Sequence, residues 1–325
     1  MAFYTLMRLL TAFGDDVYAQ KLAAVCGELG IDISQSPVIP GGHTSTYLFI
    51  NDQQGDMQLA VSDMDIYRNL TPRVLAGRKQ LLEGSQVVVI DTNLPAESIA
   101  WLADNCHAPI FADPVSTVKA EKLRPVLGKL HTLKPNRLEA ELLSGVPITG
   151  TDSLHRAAQT LLETGLHRVF ISLGADGVYA ADQSGSVTLP APKAEMVSTT
   201  GCGDSFMAAL TWAYLQGSDL ERSARAGLAA SSLTMESAET IHPSMSEAEL
   251  LRRIAADGTR SVLFSTHITS DLEKCASHIT FIQEGRLQRS DTLAGFMAHY
   301  ADLGSTLEEI IVAAERRPYD ADAII

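Results

Sequence analysis

Over roughly the first 258 positions, short runs of apolar, partly β-branched residues alternate with longer stretches whose apolar side chains recur every three or four residues. That alternation predicts an α/β fold, a sheet with helices on its faces. Five runs read as buried strands: 87–91 (VVVID), 109–115 (PIFADPV), 130–133, 168–173 (RVFISL) and 178–181, each bounded by Asp, Gly or Pro. Between them lie helical stretches. In 16–29, for instance, Tyr18, Leu22, Val25, Cys26 and Leu29 fall on one stripe and Gly30 supplies the stop. From 38 to 66 the period changes to two: Tyr47, Phe49, Leu59 and Val61 alternate with polar residues around the turn segment 51–56, which predicts a hairpin serving as a lid over about 37–66. After the junction at Asp257-Gly258 comes a tail with its own strand (261–266, SVLFST), helix (270–276), strand (278–283, HITFIQ) and final helix. The chain therefore reads as a domain at 9–258 and an appendage at 259–325, without an internal repeat.

Composition narrows the function classes. A chain of 325 residues with 46% hydrophobic and 20% charged residues is built to bury a sizeable core, which excludes disorder as its main state. No run approaches eighteen uninterrupted apolar residues, and 1–10 lacks the apolar core and cleavage site of a secretory signal, so the expected location is cytoplasmic with no membrane partner. A formal charge of -14, with 25 Lys and Arg in no block, argues against a nucleic-acid surface and for a small substrate. The four cysteines, Cys26, Cys106, Cys202 and Cys275, form no C-x-x-C pair and read as reduced thiols without a structural metal.

Two segments carry chemistry. In Ser198-Thr199-Thr200-Gly201-Cys202-Gly203-Asp204, two glycines open a helical pattern. Backbone N–H groups there can approach an anion closely, with the helix dipole adding favourable potential. The segment is neither a Walker A loop nor a dinucleotide fingerprint, since Phe206 stands where a third glycine belongs. Asp204, in the first turn, is placed either to take a proton from an attacking hydroxyl or merely to compensate the dipole. In Lys134-Pro135-Asn136-Arg137-Leu138-Glu139, Asn136 and Glu139 can face one Mg²⁺ through oxygen atoms or water, but Asn-x-x-Glu is equally a capping box. Gly174 and Gly177, in Ser172-Leu173-Gly174-Ala175-Asp176-Gly177, suit either a nucleotide at a strand end or a plain turn.

K-P-N-x-x-E at 134–139 and T-G-x-G-D at 200–204, in this order with S-L-G-x-x-G between them, resemble the ribokinase-like (PfkB) sugar and nucleoside kinases over about 9–254. Segments 42–48, 91–93, 113–116 and 131–141 look most like the pseudouridine kinases within that group. The resemblance implies a three-layer α/β sandwich with a small β lid, in some relatives a dimer contact, and ATP-dependent phosphorylation of a 5′-hydroxyl with Mg²⁺. It further implies Asp204 as base; Gly201, Cys202 and Gly203 as anion hole; Thr200, Gly174, Gly177 and Asn136 at ATP; Glu139 and Asn136 at Mg²⁺; and Thr44 and Asn93 as nucleoside contacts. The family's opening strand with its ribose-binding Asp, and the Gly-Gly-x-x-x-Asn segment after it, have no counterpart in 1–16, so an inactive remnant that binds nucleotide or a partner is the alternative reading. The tail, 260–317, resembles the carboxyl-terminal end of ABC-transporter ATPase subunits, with His267 at their switch position. A Walker A, an ABC signature and a Walker B strand are all missing, so the tail is no ATPase in itself, and a transporter-associated role is the least favoured reading.

Overall fold

The computed structural model describes residues 6–51, 57–255, 272–273, 276–283 and 285–315. The chain divides into two compact units between His242 and Pro243, ahead of the Asp257-Gly258 junction that composition marks. In the first unit, α1 (Val17–Glu28), the hairpin β1 (Thr46–Asn51) and β2 (Met57–Asp63), and short helices α2 (Pro72–Ala76) and α3 (Lys79–Glu83) precede the sheet. Then follow β3 (Val88–Asp91), α4 (Ala96–Asn105), β4 (Ile110–Asp113), α5 (Thr117–Ala120), β5 (Thr132–Leu133), α6 (Arg137–Ser144), α7 (Thr151–Glu163) and β6 (Arg168–Ser172). The unit continues through β7 (Val178–Asp182), β8 (Gly185–Leu189), α8 (Cys202–Leu215) and α9 (Leu220–Met235). All five strands expected from the sequence are present; β8 was missed because its short, mostly exposed Gly-Ser-Val-Thr-Leu run lacks a buried apolar signature.

The six strands lie in the order β3-β4-β5-β6-β7-β8. Pairing is parallel from β3 to β6 and antiparallel from β6 to β8. Side chains alternate between the faces of a strand, and this alternation builds two cores. On one face Ile110, Ala112, Leu133, Val169 and Ile171 pack with α4, α6 and α7 residues including Ile99, Leu143 and Leu161. On the other, Phe111, Phe170 and Val178 pack with Phe206, Met207 and Leu210 of α8 and Leu228 of α9. Both faces are covered, which is why these strands read as continuous apolar runs.

Two expectations change. Of the α1 stripe only Cys26 is buried, while Tyr18, Leu22, Val25 and Leu29 are 45–65% exposed: periodicity defines a helix face, but burial depends on what lies across from it. The hairpin is shorter than the expected 37–66, running from Thr46 to Asp63. Ahead of it, Val38 forms a bridge to Phe13 instead. In the hairpin the facing pairs Leu48 with Val61 and Ile50 with Leu59 are all exposed. Residues 52–56 of its turn lie outside the described residues.

In the second unit, α10 (Glu247–Ala255), the hairpin β9 (His278–Gln283) and β10 (Arg286–Thr292), and helices Leu293–His299 and Leu307–Glu315 are seen. Ile279, Phe296, Leu307 and Ile310 form its core, while Ile282 remains exposed. The expected strand 261–266, with Leu263 and Phe264, most of the helix 270–276 and His267 lie outside the described residues. Among the described residues no helix is long and apolar enough to cross a membrane.

Two measurements check this packing. A Cβ on Gly227 of α9 would come within 2.5 Å of the Phe206 ring. Helix propensity alone favours Ala over Gly by about 1 kcal/mol, yet overpacking costs about 1–3 kcal/mol, so Gly227→Ala is expected to lower the melting temperature. His131 stacks between Phe111 and His167 at 5.3 Å from each. Burial, then the neighbouring His167 and Arg168, push its pKa down to about 4 from 6.5. The unfolded chain protonates this ring first, so the stability of the neutral stack is present above about pH 6.5 and is lost as pH falls toward about 4. Denaturation midpoints are expected to fall over that window in the wild type and to fall less in His131→Phe.

Candidate active site

Parallel pairing places the carboxyl ends of β3, β4 and β5 along one edge of the sheet, where open α/β sheets bind ligands. The Cα partners Asp91 and Asp113 end β3 and β4. Lys134 follows β5, its N–H donating to the Ala112 carbonyl at 3.1 Å. The Lys134 ammonium pairs with Asp113 Oδ2 at 3.0 Å, and Lys134 is only 6% exposed.

The glycine-bearing loop meets this edge at the start of α8. Gly201 caps the helix with φ +83, and a Cβ there would strike the Thr240 carbonyl at 2.2 Å, so no other residue fits. A Cβ on Gly203 would lie 3.3 Å from Lys134 Nζ. The loop braces itself: the Thr200 N–H donates to Ser198 Oγ at 3.2 Å, and Ser231 Oγ donates to the Cys202 carbonyl at 2.8 Å. The Cys202 N–H donates to the Thr199 carbonyl at 3.3 Å. The N–H that the resemblance assigns to an anion hole is thus also engaged in a turn of its own loop. Helices leave their first-turn N–H groups without partners inside the helix, and in α8 these include those of Gly203 and Asp204. The Cys202 thiol is pushed up by burial and by Asp204, so it is not an activated nucleophile.

Asp204 is an exposed residue whose carboxyl is partly desolvated by the protein around it. Desolvation raises its pKa, the charges of Asp113 and Asp91 add to the rise, and Lys134 opposes it. Glu139, 3% exposed, is raised for related reasons: burial first, then Asp113, opposed by the Asn136 N–H and by Lys134. One buried ammonium is thus ringed by carboxylates.

The capping-box reading of Asn136 and Glu139 is realised. Asn136 Oδ1 accepts from the Glu139 N–H at 2.9 Å and Glu139 Oε2 accepts from the Asn136 N–H at 2.8 Å, starting α6. Asn136 also lines a cavity of about 250 Å³ with Arg137, Leu138, Ser172, Leu173 and Gly174. No group of three or more His, Cys, Asp or Glu among the described residues converges as a metal cage. Gly177, with φ +95, is required where β8 ends, since a Cβ would meet the Leu189 carbonyl at 2.0 Å.

Asn93 sits just past β3, its amide donating to Asp91 Oδ2 at 2.8 Å and its Oδ1 accepting from Lys119 at 2.6 Å. Thr44 is 3% exposed; its hydroxyl donates to Asp16 Oδ1 at 2.7 Å and accepts from the Gly14 N–H at 3.0 Å. It braces the cap of α1 and lies just before the first hairpin strand. Asp91, Asp113 and Lys134 lie in segments that carry the family resemblance, but the sequence reading assigns them no role. The available signal was their common position at the carboxyl end of a strand.

Residues 6–248 match the family model of pfkB family carbohydrate kinases. Pseudouridine kinase of Escherichia coli (strain K12) is 37% identical over 245 residues, covering 75% of this chain and 78% of that protein. The uncharacterized sugar kinase YeiI of the same organism is 34% identical over 244 residues, covering 74% of this chain and 67% of that protein. Arabidopsis thaliana ribokinase, solved with ribose and ATP, shares the fold with a TM-score of 0.65 at 19% identity, over 77% of this chain and 82% of that one.

The capping box is open to a direct check. Asn136→Ala removes the cap of α6 and is expected to cost about 0.5–2 kcal/mol, read as a lower melting temperature.

Proposed function

The chain belongs to the pfkB family of carbohydrate kinases, phosphotransferases acting on an alcohol group, and from that premise we propose that it phosphorylates the 5′-hydroxyl of pseudouridine with Mg-ATP. The observation that carries the substrate is the 37% identity to pseudouridine kinase across three quarters of the chain. The geometry supports the chemistry. Asp204 stands at the first turn of α8, and its raised pKa makes the carboxylate a better proton acceptor than an ordinary aspartate. It takes the hydroxyl proton as the oxygen attacks the γ-phosphoryl, a role worth about 10²–10⁴ in rate. The N-terminus of α8, opened by Gly201 and Gly203, and the Lys134 ammonium face the negative charge that develops there. The 250 Å³ cavity beside Asn136 and Gly174 borders the nucleotide.

Mg²⁺ keeps most of its waters and needs only one or two carboxylates beside substrate phosphates. The buried Glu139, one oxygen held by the cap, fits that demand through water, as an anchor and not a cage. When bound, the ion neutralises phosphate charge. The similarity to YeiI favours a second reading, a free sugar as acceptor.

Both readings are separated by ADP release from the full chain with Mg-ATP and a panel of pseudouridine, uridine and ribose. Pseudouridine is expected to be the preferred acceptor, and Asp204→Asn to lose at least about 10²-fold in turnover. Preference for ribose would replace the acceptor; wild-type turnover in Asp204→Asn would remove the base.

A further inference from the structure

Three features converge on Lys134. The turn after β4 holds Val115 at φ +63, a left-handed conformation that a β-branched residue rarely adopts. It is pinned from two sides: the Val115 N–H donates to Asp113 Oδ1 at 3.1 Å, and the Thr92 hydroxyl donates to the Pro114 carbonyl. With one oxygen fixed in this way, Asp113 turns the other onto the Lys134 ammonium at 3.0 Å. The ammonium in turn occupies the space next to Gly203, where a Cβ would come within 3.3 Å of it.

We propose that Asp113 is a positioning residue, held by the strained Val115 turn, that seats the Lys134 ammonium against the first turn of α8, and that position 203 is glycine to leave room for that charge. This inference rests on the kinase reading above and names a device of the same site. A lysine suits the position because its ammonium is a compact point charge that fits beside a backbone, whereas a guanidinium is broad and planar. The close approach lets one cation add to the N-terminal dipole of α8 where the phosphoryl group passes.

Gly203 makes the test sharp. It lies inside a helix, where Ala is otherwise preferred to Gly. Gly203→Ala is therefore expected to raise the melting temperature while lowering kcat about tenfold or more, with the KM for the acceptor unchanged. Lys134→Met is expected to lower kcat about 10²–10³-fold, and Asp113→Asn to lower it in the same direction by a smaller factor. In the Lys134→Met background, adding Gly203→Ala should cost nothing further. Wild-type kcat in Gly203→Ala would overturn the proposal, as would an equal loss from Gly203→Ala with and without Lys134, because the new Cβ would then act on the phosphate itself. Loss of one partner of a buried pair destabilises, so if Lys134→Met does not fold, kcat and KM of the more stable Gly203→Ala decide alone. A wild-type chain that turns over no acceptor fails the kinase reading instead. The seating of Lys134 is then still read by calorimetric titration with a non-hydrolysable ATP analogue and Mg²⁺, which Asp113→Asn and Gly203→Ala should weaken; unchanged affinity in both overturns it.

Discussion

Parallel pairing from β3 to β6 is the constraint on which the rest of the first unit depends. Parallel strands are joined by crossovers that return over a face, so helices cover both sides of the sheet and every strand residue from Ile110 to Ala112 or from Val169 to Ile171 must be apolar. The same pairing brings all carboxyl ends to one edge. Asp91, Asp113 and Lys134, far apart in the chain, become neighbours because each stands at or just past the carboxyl end of its strand. The core and the site are two consequences of one topology.

At that edge the balance of charge is set by a single buried ammonium among several carboxylates. Lys134 is compensated by Asp113 and felt by Glu139 and Asp204. Desolvation pushes the two latter carboxyls upward, and the lysine opposes the rise, which makes the Asp204 carboxylate more basic than an ordinary aspartate. Gly201 and Gly203 serve different ends in the same loop: the first turns the chain through a left-handed conformation against Thr240, the second keeps distance from Lys134.

Outside the sheet the packing is thinner. The apolar faces of α1 and of the β1–β2 hairpin are largely exposed, and the second unit rests on a small core around Phe296. These elements have clear periodicity and good caps, as with Asp16 at α1, which receives the Ala19 N–H at 2.9 Å. Local signals suffice to form them but leave their burial open.

The sequence by itself determined the elements: five buried strands, the hairpin, the glycine-opened helix with Asp204, and the Asn136–Glu139 cap all follow from periodicity and short-range hydrogen bonding, which act within a few residues. Only the tertiary structure decided which of these residues share a site. It joined Asp113 and Lys134, twenty-one positions apart, to Gly203. It also brought Gly177 against the Leu189 carbonyl and the Thr44 hydroxyl onto the cap of α1. Electrostatic pairing and close backbone approach are properties of distance in space, and strand order, not chain order, sets that distance.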